Sequence, residues 1–89
     1  MSNNRIGIDN FPRTISNDNK ISLDIRTLFR QPSGQEVLKY LRSITIEAGK
    51  GPAASDAELR HLEGQRYIVG LIERRIKHAE KVEKNGSNR

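Results

Sequence analysis

Cysteine and tryptophan are absent from this chain, which excludes a disulfide framework and every thiolate metal centre. Aromatic side chains are limited to Phe11, Phe29, Tyr40 and Tyr67, too scattered for a platform on which bases could stack. No apolar run reaches the roughly 18 residues that a membrane-spanning helix needs, so no membrane partner is expected. Residues Met1 to Ile8 lack a continuous apolar segment, and a secretory signal is not expected either. Apolar residues make up 34% of the 89, with a mean hydropathy of −0.74. A chain this small, without covalent staples, gains stability from helix packing, self-association or docking on a partner. Sixteen Lys and Arg against eleven Asp and Glu leave a net +5, which tolerates an acidic partner without requiring one.

Residues 1–20 are rich in Asn and Ser with isolated apolar side chains, and Pro12 biases Phe11 toward extended backbone. The expectation is a flexible arm, or one ordered by a neighbouring subunit with Phe11 as its anchor. A helical domain follows over 21–84. Its first helix is expected near 22–30, where Ile21, Ile25, Leu28 and Phe29 share one face. Ser33 and Glu36 have the S-x-x-E spacing of a capping box and predict a second helix near 34–46. Ser55 and Glu58 repeat that signal before a third, long helix near 56–84. Residues 85–89 are expected to form a disordered tail. The fold class is therefore all-α: a small helical hairpin or three-helix domain with one long C-terminal helix and an extended N-terminal arm.

At about 100° per residue, Leu62, Ile68, Val69, Ile72, Ile76 and Ala79 fall within one arc of about 120° on the third helix. Together with Leu38 and Leu41 of the second helix, Leu62, Val69, Ile72 and Ile76 are expected to form the internal core. Leu71, Val82 and Tyr67 widen the arc beyond what one helical hairpin covers. Gly64 lies on that widened side, where another backbone could approach closely. Arg75 projects there too, either laying its alkyl stem over apolar surface or meeting a partner carboxylate. Phe11, Tyr67, Leu71 and Arg75 are the expected partner-contacting residues.

The patterns that would signal catalysis are missing. Glu58-Leu-Arg-His61 has the Glu-x-x-His spacing of bundle di-metal sites but no second copy, so no metal is expected. Ala48-Gly-Lys-Gly-Pro52 lacks the order of a phosphate-binding loop, and its proline removes a donor. Neither His61 nor His78 has an evident orienting carboxylate. The chain is expected to be non-enzymatic, with no catalytic residue and no cofactor. DNA binding is the competing expectation, because residues 73–89 hold six basic and three acidic side chains. The Gly- and Pro-containing connection over 48–54 is longer than the turn of a helix-turn-helix, which disfavours it.

Phe29-Arg-Gln-Pro-Ser-Gly-Gln-Glu-Val-Leu38, then His61-Leu-Glu-Gly-Gln-Arg66 and the apolar stretch Ile68 to Ile72, resemble a family of small tailed-phage proteins typified by a Bordetella podophage protein. The shared pattern is F-x-x-x-x-G-x-x-V-L-x-x-L, a variable loop, then E-G-x-R and an apolar helix, over about residues 25–76. Genes of that family tend to sit among packaging and head genes. The resemblance implies a virion or assembly protein, found in the virion and in the host cytoplasm during assembly. Its implied partners are phage structural proteins such as the portal, capsid or tail ring, contacted in multiple copies. The family supplies no catalytic or binding residues to carry over.

Overall fold

A computed structural model describes residues 4–49, 51 and 53–87. Two short strands, β1 (Asn4–Ile6) and β2 (Pro12–Thr14), precede three helices, α1 (Ile15–Arg30), α2 (Pro32–Ile44) and α3 (Asp56–Ser87). The fold is essentially all-α, with the long C-terminal helix as its spine. At about 1.5 Å per residue, the 32 residues of α3 span about 48 Å, most of the 53 Å longest dimension.

The N-terminal segment departs from the expected arm. Its strands pair antiparallel, with Arg5 opposite Arg13 and Ile6 opposite Pro12. Inside the turn, the Gly7 N–H donates to the Phe11 carbonyl at 2.8 Å and the Phe11 N–H to Asp9 Oδ1 at 3.1 Å. Asn10 takes a left-handed φ of 70°, which asparagine accepts more readily than most residues. Residues 1–3 of the expected arm lie outside the described residues.

Helix α1 begins at Ile15 rather than near Ser22, because Thr14 Oγ1 caps it by accepting from the Asn17 N–H at 3.1 Å. The Ser-Asn-Asp-Asn run, a turn former in isolation, becomes the first turns of a helix. Contacts from α3 hold it there: Asn19 Oδ1 lies 2.9 Å from His78 Nε2, and Asp18 pairs with Arg75. At the other end, α3 continues to Ser87, so Asn85 is helical rather than the start of a disordered tail. Asn88 and Arg89 lie outside the described residues.

A single residue, Gln31, separates α1 from α2. Pro32 opens α2 at its first position, where its missing N–H costs nothing, and the expected Ser33–Glu36 box is not used. Gly34 makes this tight junction feasible. A Cβ there would sit 2.3 Å from the Leu28 carbonyl oxygen and 2.8 Å from Phe29 Cα. Ser55 does cap α3, accepting from the Glu58 N–H at 3.1 Å.

The paired residues give the helix directions. Asp18 and Ser22 meet Arg75 and Arg26 meets Glu83, so α1 runs parallel to α3 along its C-terminal half. Arg42 meets Glu73 and the Thr45 carbonyl meets Arg66, so α2 runs antiparallel, back toward the middle of α3. The principal packing of α3 is against α1, with a smaller contact to α2. Leu62, Val69 and Ala79 are buried, whereas Leu38, Leu41, Ile72 and Ile76 of the expected core are half-buried. The molecule is a flattened plate of 53 × 36 × 16 Å with a radius of gyration of 16.0 Å. A compact chain of this length would have about 12 Å.

Gly34→Ala is expected to destabilise the fold by about 1–3 kcal/mol through overpacking at the α1–α2 junction. Gly64→Ala is expected to stabilise it by about 1 kcal/mol, because that glycine sits in a helix with nothing within 4 Å of its Cβ position. Urea unfolding of both variants checks the pair of opposite signs.

Candidate functional site

Two constructions on α3 decide what the surface offers. The first is polar and internal. Arg75, only 2% exposed, directs Nη1 to the Asp18 carbonyl at 2.9 Å and to Ser22 Oγ at 3.0 Å. The same nitrogen lies 2.8 Å from Asp18 Oδ1, and Nη2 lies 3.3 Å from Asp9 Oδ2. Those two contacts are charge pairings, since Asp18 Oδ1 and Nη2 make no hydrogen bond. One guanidinium thus ties the β-hairpin, α1 and α3 together. Arg13 holds Asp9 from the other side, with Nη2 at 2.6 Å from Oδ2. The Asp9 carboxyl is lowered to about 2: the Arg13 hydrogen bond leads, burial opposes it, and the Phe11 N–H and the Arg13 and Arg75 charges assist.

The second construction is apolar and open. Because α1 starts beside the middle of α3, it leaves the N-terminal half of that helix uncovered on its side. There, a groove of about 620 Å³ opens between the end of α2 and α3. Helix α2 contributes Leu41, Ile44 and Thr45 to its walls. Helix α3 contributes Arg60, His61, Gly64, Gln65, Ile68 and Val69. Ile68, a member of the apolar arc outside the expected core, is 55% exposed, and Ile44 is 47% exposed.

Arg66 fixes the groove's geometry from behind. Its Nε donates to the Thr45 carbonyl at 3.0 Å and its Nη2 to the Ala48 carbonyl at 2.6 Å. These carbonyls lie at and just past the C-terminal end of α2, where a cation is favoured; the Thr45 carbonyl also accepts from the Ala48 N–H at 3.2 Å. Arg66 also pairs with Glu63. The E-G-x-R pattern therefore has a physical reading: Arg66 joins α2 to α3, and Gly64 keeps the groove floor free of a side chain.

The four residues expected to touch partners are not brought together. Phe11 is 62% exposed at the hairpin turn, with the Arg13 guanidinium 5.8 Å from its ring centroid. Tyr67 is 43% exposed on α3 beneath Arg74, at 5.5 Å. Leu71 is half-buried. Arg75 is the correction: its charge is spent within the monomer on Asp18 and Asp9, so it is not available to a partner carboxylate. Helical spacing placed it correctly between Leu71 and Ile72, but carboxylates of a distant segment lie beyond the reach of a periodicity argument. Ile44 and Ile68 were missed as surface residues for a related reason, since only the position of α1 leaves them open.

His78, expected without a carboxylate neighbour, has Asp18 Oδ2 at 3.9 Å. Among the described residues, no group of three or more His, Cys, Asp or Glu side chains could hold a metal ion. No described helix is long and apolar enough to cross a membrane.

A family model described as Bbp19-like phage protein matches residues 25–84, from the second half of α1 almost to the end of α3. That span includes the groove, Gly34, Gly64, Arg66 and Arg75, and excludes Asp9, Asp18 and Ser22. No curated protein and no solved structure matches the chain.

Arg75→Met is expected to cost about 3–5 kcal/mol, because it leaves buried carboxylate charge uncompensated. Asp9 has a folded pKa below its ordinary 3.8, so its contribution is complete above that value and is lost as pH falls toward about 2. Urea midpoints should therefore drop across that window, and Asp9→Asn should flatten this part of the profile.

Proposed function

The chain belongs to the Bbp19-like phage protein family, matched over residues 25–84, and from that we propose that it is a non-enzymatic virion or assembly protein. In this reading it docks in multiple copies on a larger phage structural protein, at the portal, neck or head–tail junction. What supports it is surface that the monomer leaves apolar. Ile44 and Ile68 flank an unfilled groove, and Val37 and Tyr40 continue the exposed apolar row along α2.

The total area points the same way. The accessible surface is 6766 Å². A compact monomer of this mass exposes about 5,300 Å². The excess is roughly 1,500 Å², about twice the ≈ 800 Å² that one partner contributes to a standard interface. An extended plate with that much surface suits a chain that packs against neighbours. Among the described residues, the charged side chains that converge inside are bound to one another.

Mass spectrometry of purified particles tests the proposal. The chain is expected there at a stoichiometry of several copies per particle. Its absence from particles, combined with steeply salt-dependent binding to duplex DNA, would replace this reading with a packaging-associated DNA-binding role.

A further inference from the structure

The groove has a defined length, a floor and a charge, and together these specify an occupant. Arg60 to Val69 spans nine residue rises, about 14 Å along α3, or between two and three helical turns. The groove lies on the flank of α3 that α1 covers farther along, so its shape is that of a missing helical neighbour. Gly64 forms the floor, and the open space over its Cβ position lets a second helix approach closely. Among the described residues no packing accounts for that glycine, unlike Gly34, whose junction excludes any side chain.

Charge selects among helices. Arg60 and His61 line the groove, and among the described residues no carboxylate does. Among the described residues Arg60 forms no ion pair, and its Nε reaches only the Asp56 carbonyl, at 3.4 Å. A second copy of this chain, at +5, would bring further positive charge to a cationic rim. A helix with a carboxylate flank would instead gain charge-assisted hydrogen bonds there.

We propose that the α2–α3 groove receives a two- to three-turn amphipathic helix of another protein, with apolar residues seated over Gly64 and against Ile44 and Ile68, and Asp or Glu facing Arg60. This rests on the docking role proposed above and names the element that docks. It is a helix-in-groove contact, read by anchors spaced i, i+3 or i+4, and i+7.

Three lactam-stapled peptides of about 14 residues test it, stapled so that helix formation does not limit binding. The first carries Leu at those anchor positions with Glu flanks, the second has Lys flanks, and the third has Ser anchors. The full chain is expected to bind the first about tenfold or more tightly than the other two. Gly64→Leu, which fills the floor, and Ile68→Asp are each expected to weaken that binding by about tenfold while leaving helicity by circular dichroism unchanged. Equal affinity for Glu- and Lys-flanked peptides overturns the charge assignment, and no binding of any peptide overturns the groove assignment. Concentration-dependent dimerisation abolished by Gly64→Leu identifies a second copy as occupant and also overturns it. Failed peptide binding by a chain that is present in purified particles sinks this inference alone. Absence from particles sinks the virion reading instead.

Discussion

The buried guanidinium of Arg75 is the constraint on which the arrangement of this small protein depends. Most of its contacts fall on a segment more than fifty positions away, and one falls on the hairpin turn before that segment. A buried charge tolerates few registers, because displacement would strand it without its carboxylates. Apolar packing alone would let α1 slide along α3 at modest cost. With Asp18 and Ser22 fixed at Arg75, α1 can lie only beside the second half of α3. The uncovered flank of the N-terminal half of α3, and with it the groove, follows from that placement.

This division explains an otherwise awkward composition. Apolar residues are scarce, yet several of the largest remain exposed, while four polar or charged side chains are buried. A chain selected only for monomer stability would reverse that allocation. Here polar contacts set the register among α1, α3 and the hairpin, and apolar surface is left on the outside, where another molecule can cover it. The same logic separates the two motif glycines. Gly34 is enclosed by the turn between α1 and α2, and Gly64 faces empty space.

Much of the helical architecture was legible in the residues. The Ser55 cap, the long apolar stripe from Leu62 to Ala79 and the break near Pro32 lead to three helices and to the dominance of the last. The N-terminal quarter was not legible. Ser16 to Asn19 have side chains that favour turns in isolation, and the Thr14 cap together with contacts to Arg75 and His78 makes them helical. The hairpin depends on a left-handed Asn10 and on Asp9 held between two arginines, neither of which has a periodic signature. For the site, spacing identified Gly64 and the excess width of the apolar face. It could not show which part of that face α1 would cover. The expectation therefore fell on Arg75, which is enclosed, and passed over Ile44 and Ile68, which are open.

The central claim is that the uncovered side of α3 is where this protein meets its neighbour. A photoreactive phenylalanine analogue placed at position 68, and separately at Lys77 on the exposed opposite side, would report what each surface touches during infection. The account predicts efficient crosslinking from position 68 to one larger phage structural protein and little from position 77. Equal crosslinking from both positions, or crosslinks from position 68 confined to this chain itself, would contradict it.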